Sequence, residues 1–296
     1  MSYILVIHNP ISGNGNNVLV DRVIEGLKIL GHDVDYYATQ SAGDATRYLQ
    51  QMTTELDIVV AAGGDGTVNE VVNGLINRPN NSYRLAVIPI GTTNVLAKEL
   101  GIGRSASKIV RMFRNELTKE IYPARANGRR FLLMAGVGYD AWVVDNVDLA
   151  LKKRIGKFAY ILSMIKQLKW FGSKNYQVTV DGKVYQANSV VITNGRLYGG
   201  SFTISRHADL SSAKTQVLMM SSRSPLRFLM TLLGLPVGQL ERMPGIVSVA
   251  AKHIVVENIG NETTVSSEPV QADGDSVTHL PLNVVMEENP IQILIP

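Results

Sequence analysis

The chain has 296 residues, a formal charge of +4, 45% hydrophobic residues and no cysteine. That length and composition give material for two globular cores. The lack of cysteine excludes a disulfide framework, a thiolate metal site and a catalytic thiol, and fits a reducing cytosol. No run reaches about 18 uninterrupted apolar residues, so no spanning helix is expected. The opening MSYILVIHNPISG lacks a basic n-region and a long apolar core, so no export signal is expected either. The mild positive charge comes without a dense basic run, which argues against nucleic acid as a partner and favours phosphates or an anionic membrane surface.

Read in chain order, the first half alternates strands with helices. Tyr3 to His8 is an aliphatic run suited to a strand buried on both faces. A helical pattern from about Val18 to Leu30 ends at Gly31, Asp33 to Tyr37 reads as a strand, and Ala42 to Met52 as a helix. Asp57 to Ala62 is a third strand, followed by a helix over Val68 to Ile76. Leu85 to Ile90 is a fourth, followed by a helix through about Leu100. This rhythm predicts an α/β fold with a doubly wound parallel sheet, Rossmann-like, over residues 1–122.

From residue 123 the character changes. Phe131–Ala135, Tyr176–Val180, Val184–Thr193, Thr215–Met220 and His253–Asn258 read as strands, with Asp181-Gly182 as a hairpin turn. A helix is expected from about Lys152 to Phe171 on its apolar spacing. Residues 123–296 therefore read as a second, mainly antiparallel β domain. Its last strand is a candidate to return to the first domain, and a cleft is expected between the two.

The sharpest chemical signal is Gly63-Gly64-Asp65-Gly66-Thr67, with Asn69-Glu70, directly after a buried strand and before a helix. Glycines let the backbone approach a polyphosphate and offer it N–H groups, and the helix N-terminus adds a favourable dipole. Asp65 is suited to Mg²⁺, directly or through water, and Thr67 to a phosphate oxygen. Two glycines would serve a purely structural turn; four small residues around one carboxylate exceed that need. Asn9-Pro10-Ile11-Ser12-Gly13 and Gly91-Thr92-Thr93-Asn94 end two other strands at the same edge, where open α/β sheets bind ligands. No Gly-Lys-Ser/Thr or Gly-x-Gly-x-x-Gly is in frame. The five histidines lack metal-ligand spacing, and no nucleophile elbow is present.

Asn9-Pro-Ile-Ser-Gly13, Gly63-Gly-Asp-Gly-Thr67 and Pro89-Ile-Gly-Thr-Thr-Asn94 together resemble the diacylglycerol kinase catalytic domain family, which includes bacterial lipid kinases and sphingosine kinases. The Gly-Gly-Asp-Gly-Thr element is shared with NAD kinases and phosphofructokinases. The resemblance continues through Ala135-Gly-Val-Gly-Tyr-Asp140-Ala, Lys153-Arg-Ile-Gly156 with Ala159-Tyr160, Asn194-Gly, Gly199-Gly200 and Gln271-Ala-Asp273-Gly274-Asp275. It implies an ATP-dependent, Mg²⁺-assisted kinase acting on a membrane lipid alcohol, with ATP in the interdomain cleft and the lipid-acceptor site in the domain of residues 123–296. The nucleotide set it implies is Asn9, Pro10, Ser12, Gly13, Gly63, Gly64, Gly66, Thr67, Asn69, Glu70, Gly91, Thr92 and Asn94. Asp65 takes the place of the family's metal-associated or catalytic carboxylate, and Asp275 that of its general base. A cytoplasmic protein with peripheral contact at the inner membrane surface follows, and a homodimer is left open.

Three departures stand out: Val95 where an aspartate usually follows the asparagine, Tyr122-Pro123 where an acidic residue is common, and Ser212-Ala213 where Asp-Gly is usual. They motivate a weak or inactive homologue as an alternative reading, and an NAD kinase-like phosphotransferase is a second. The apolar stretch Pro225–Val237, between Arg223 and the chain beyond, reads either as a core helix or as a lipid-facing one, with Leu226, Phe228, Leu229 and Leu232 as candidate lipid contacts.

Overall fold

The computed structural model describes residues 1–14, 17–79, 82–146, 174–222, 224–232, 234–259 and 268–296. The helix expected over Lys152–Phe171, with its Lys153–Gly156 and Ala159-Tyr160 motifs, lies outside the described residues, as do Gly15 and Arg223. The chain divides into two compact units, Met1–Tyr122 with Glu288–Pro296, and Pro123–Glu287.

The first unit is built on strands β1 (Tyr3–His8), β2 (Asp33–Ala38), β3 (Ile58–Gly63), β4 (Arg84–Pro89) and β5 (Thr118–Ile121), completed by the C-terminal strand Ile291–Leu294. The sheet order is β2-β1-β3-β4, then the C-terminal strand, then β5. β1 to β4 and the C-terminal strand are parallel, and only β5 runs against them. β3 buries all six residues of IVVAAG, the pattern of a strand covered on both faces. The helices are α1 (Asn17–Ile29), α2 (Asp44–Gln51), α3 (Asp65–Gly74), α4 (Val95–Glu99) and α5 (Ala106–Asn115). α1 buries Leu19, Val20, Val23 and Leu27, and α5 buries Ile109, Met112 and Phe113, one apolar stripe each. A Cβ on Gly26 of α1 would stand 2.5 Å from Val110 Cγ2 of α5, so glycine lets these two helices close on one another. α5 and β5 are additional to the elements expected from the sequence.

Among its described residues the second unit contains two six-stranded antiparallel sheets. Its strands are β6 (Ala124–Ala126), β7 (Arg129–Phe131), β8 (Met134–Val137), β9 (Tyr176–Val180), β10 (Lys183–Ala187), β11 (Ser189–Thr193), β12 (Leu197–Tyr198), β13 (Phe202–Thr203), β14 (Thr215–Met220), β15 (Ile246–Ala251), β16 (His253–Asn258), β17 (Pro269–Ala272), β18 (Asp275–His279) and β19 (Leu282–Met286). One sheet is ordered β10-β9-β16-β19-β6-β7, the other β15-β14-β11-β8-β17-β18, and among the described residues β12 pairs only with β13. Two runs expected as single strands are each a pair that changes sheet. Val184–Thr193 breaks at Asn188, whose Nδ2 donates to Lys174 O and Asn175 Oδ1. Phe131–Ala135 breaks at Leu132-Leu133, whose amides donate to the Asp273 carboxylate. At the Leu132-Leu133 corner the Asp273 side chain thus satisfies backbone amides that the ladder releases, while at the other corner Asn188 N donates to Met220 O at 2.8 Å. Helices α6 (Tyr139–Asp145) and α7 (Pro225–Leu232) belong to this unit. Among the described residues no helix is long and apolar enough to cross a membrane.

Candidate active site

The register of the first sheet brings three loops to one edge. His8 lies opposite Ala62, and Gly63 opposite Pro89, so the carboxyl ends of β1, β3 and β4 are neighbours. The backbone then locks the loops together. Asn9 N donates to Ala62 O at 2.9 Å, and Ile90 N and Gly91 N both donate to Gly63 O, at 3.1 and 3.2 Å. Gly13 has φ +60, and a Cβ there would stand 1.7 Å from Ile90 O; a Cβ on Gly91 would stand 2.4 Å from Gly64 Cα. These glycines let loop pack on loop, a need separate from the approach of a phosphate.

α3 begins at this edge. Its N-cap is Gly64, in extended conformation, with no side-chain cap; the first amide with an intrahelical acceptor is Val68 N, bonded to Gly64 O at 3.1 Å. The first-turn N–H groups of Asp65, Gly66 and Thr67 therefore face outward from a half-exposed turn. Thr67 is buried, with its hydroxyl accepting from Asn9 Nδ2 at 3.4 Å. Thr92 is exposed beside them and Ser12 half-exposed. Pro10 is also half-exposed. Asn94 adopts φ +48 and donates through Nδ2 to Gly91 O at 2.8 Å, which shapes the β4–α4 loop. Arg104, which no sequence motif marks, donates through Nη2 to the same Gly91 carbonyl.

Three residues of the expected set are committed elsewhere. Asp65 turns its carboxylate to the start of α4: Oδ2 accepts from Val95 N at 3.0 Å and Thr93 Oγ1 at 3.2 Å, and Oδ1 from Leu96 N at 3.1 Å. It serves as the cap of that helix. Glu70 accepts from Gly43 N at 2.8 Å and Ala45 N at 3.2 Å, at the start of α2. Asn69 is buried within α3 and accepts from Asn73 Nδ2. Among the described residues no group of three acidic, histidine or cysteine side chains converges for a metal. With Asp65 engaged by three donors, the described residues gather no all-protein cage for a resident Mg²⁺.

In the second unit the motif residues converge on a different carboxylate. Asp140 is buried on α6; Tyr198 of β12 donates its hydroxyl to Oδ1, and Gln271 Nε2 of β17 donates to Oδ2 at 2.6 Å. Burial pushes the Asp140 carboxyl up, and these two donors offset it only in part. Burial, with the neighbouring Asp140, pushes Tyr139 up to about 12. Glu268 is buried nearby in sequence to β17, accepting from Trp142 Nε1 at 2.9 Å and Tyr176 OH at 3.1 Å and pairing with Lys174 Nζ at 2.9 Å. Burial raises its pKa, but Lys174, Trp142 and Tyr176 together hold it below the usual glutamate value. Asp275 is exposed at the first position of β18. Of the candidate lipid contacts, Phe228 is buried with Leu218, Met220 and Leu240, and its ring meets Tyr139 edge-on at 4.7 Å. Leu229 is exposed, as is Met230 beside it. The side chains of Leu226 and Leu232 lie outside the described residues.

Residues 3–126 match the diacylglycerol kinase catalytic domain, and residues 134–295 the YegS C-terminal NAD kinase beta sandwich-like domain. A diacylglycerol kinase of Bacillus subtilis is 31% identical over 232 residues, covering 76% of this chain and 75% of its own length. The chain belongs to the diacylglycerol kinase family. Another relative with that name, from Staphylococcus epidermidis, is 28% identical over 298 residues, 98% of this chain and 91% of its own. A crystal structure from Bacillus anthracis, assigned as a diacylglycerol kinase, has a TM-score of 0.80 at 25% identity and covers 100% of this chain and 95% of its own. As a member of the family the chain is an enzyme of the kinase class.

Proposed function

We propose that this kinase transfers the γ-phosphoryl group of ATP to the hydroxyl of a lipid alcohol of the diacylglycerol class. The observation that carries the reading is the uncapped start of α3, whose outward N–H groups meet the Asn9 and Gly91 loops at one strand edge. Such a helix start binds phosphate through its amide donors and its dipole. Asn9, Ser12, Gly64, Thr67 and Thr92 contact the nucleotide; Gly13, Gly63 and Gly91 hold the loops close enough for them to act together. Asp65 keeps the Gly91–Asn94 loop in place through α4. Mg²⁺ would be held chiefly by the nucleotide phosphates and would neutralise charge developing on them.

In the transfer, the acceptor oxygen forms a bond to the γ-phosphorus as the bond from that phosphorus to the β,γ-bridging oxygen breaks, leaving ADP. Asp275 takes the acceptor's proton, a role its exposed carboxylate suits. Leu229 and Met230 on the exposed face of α7 support peripheral contact with a bilayer that holds the lipid.

Incubating the protein with ATP, Mg²⁺ and diacylglycerol vesicles, then weighing the lipids by mass spectrometry, tests the reading. The expected product is the monophosphorylated lipid, with NAD unphosphorylated in a parallel reaction. ATP binding without any phosphorylated lipid, or NADP in its place, would overturn it.

A further inference from the structure

We propose that Asp140 is a positioning residue that fixes the Asp273–Asp275 turn through Gln271 and so presents Asp275 to the acceptor. The inference rests on the kinase reading above for the role of Asp275, and on geometry alone for the rest.

β17 and β18 are joined by the two residues Asp273 and Gly274, at φ +49 and +88, with Ala272 opposite Asp275. Both positive values are those of a tight hairpin turn. The turn is held on two sides. On one, the Asp273 carboxylate accepts from Leu132 N at 2.9 Å, Leu133 N at 2.9 Å and Met134 N at 3.0 Å, and Asp273 N donates to Met134 O at 2.8 Å. On the other, Gly274 N donates to Gln271 Oε1 at 3.0 Å.

Gln271 can accept from Gly274 only while its amide points that way. An isolated amide could flip by half a turn and offer its NH₂ instead. Asp140 removes the choice: its Oδ2 is an acceptor 2.6 Å from Nε2, so the oxygen is left for Gly274. Tyr198 fixes the other carboxylate oxygen and ties the β12–β13 hairpin to the same group. Space is made for the pair by Gly136 of β8, where a Cβ would lie 2.2 Å from Asp140 Oδ2 and 3.0 Å from Gln271 Nε2. Asp140 and Gln271 are both buried, so water does not compete for these bonds. Asp145, one helical stretch on along α6, accepts from Ser276 Oγ at 2.9 Å, next in sequence to Asp275.

The test reverses the polarity of the pair. In D140N the new NH₂ either faces that of Gln271, so that a Gln271 flip withdraws the acceptor from Gly274, or turns to the Tyr198 hydroxyl, so that a neutral amide oxygen holds Gln271 less firmly than the carboxylate did. In D140N/Q271E the amide now at position 140 donates to the carboxylate now at position 271. That carboxylate again accepts from Gly274, with the same total charge as in the wild type. Amide exchange at Gly274 and steady-state kinetics with ATP and diacylglycerol are read on wild type and both variants. For D140N the expected result is Gly274 exchange faster by about tenfold or more and kcat lower by about 10- to 100-fold with KM for ATP unchanged. The double variant should recover both. Folded D140N with unchanged Gly274 exchange, a folded double variant without recovery, or altered exchange with unaltered kcat would each overturn the proposal. Should D140N alone unfold, the pair still decides: a folded, protected double variant supports the relay and an unfolded one overturns it. Wild type inactive towards lipid would sink the kinase reading, while the exchange data would still judge the clamp.

Discussion

Asp65 and Leu96, 31 residues apart in sequence, are joined by a 3.1 Å hydrogen bond from backbone N–H to carboxylate. This contact makes one rigid edge out of two loops, because Val95 N and Thr93 Oγ1 bind the same side chain. Asp65→Ala leaves three donors without their acceptor and should cost about 1–3 kcal/mol of stability. Asp65→Asn, which keeps one acceptor oxygen, should cost less. Urea unfolding of the two variants checks the order; equal stability of Asp65→Ala and wild type would contradict the capping role.

Gly13 and Gly128 separate crowding from backbone strain. Both have positive φ, but a Cβ on Gly13 meets Ile90 O at 1.7 Å, whereas nothing lies within 4 Å of one on Gly128. Gly13→Ala should lose about 2–4 kcal/mol and Gly128→Ala about 1 kcal/mol. Comparing their thermal midpoints reads the difference directly.

Arg130, buried in the second unit, meets Glu287 through Nε at 2.6 Å and Nη2 at 2.8 Å. Removing one member of such a pair strands a buried charge, so Glu287→Gln should destabilise by about 3–5 kcal/mol. A loss under about 1 kcal/mol, the range of an exposed pair, would show that water reaches this guanidinium.

Asp140 and Glu268 should give stability opposite dependences on pH. Asp140 has a raised native pKa, so its share is complete below the ordinary aspartate value of 3.8 and is lost as pH rises through the native one. Glu268 has a lowered native pKa, so its share is present above the ordinary 4.5 and is lost as pH falls through the native value. Melting temperature against pH for wild type, D140N and Glu268→Gln checks both signs. Relative to wild type, D140N should improve as pH rises from about 4, and Glu268→Gln should improve as pH falls below it.

The parallel core was legible because β1, β3 and β4 are short, largely aliphatic runs, each ended by or followed within a few residues by glycine. β1 and β3 need burial on both faces, and no other element suits IVVAAG. α5 was equally encoded, with Ile109, Met112 and Phe113 on one stripe, as was the β6–β7 hairpin in Asn127-Gly128, at φ +48 and +87. The sheet changes at Leu132 and Asn188 were not legible: the bonds that permit them come from Asp273, 141 residues away from Leu132, and from Lys174 and Asn175. For the site, the glycine corners stood out, but the direction of a carboxylate depends on which distant amides arrive beside it. That is why Asp65, Glu70 and Asp140 have partners that spacing does not reveal. In α7, composition showed an apolar segment, and only the fold shows Phe228 turned inward with Leu229 and Met230 outward.

Backbone amide exchange across residues 63–67, with and without ATP, tests the phosphate-binding reading most directly. Nucleotide should slow exchange at Gly64, Asp65, Gly66 and Thr67, as phosphate oxygens take up donors that α3 leaves open. Saturating ATP that protects other segments while exchange at these four residues stays unchanged would contradict it.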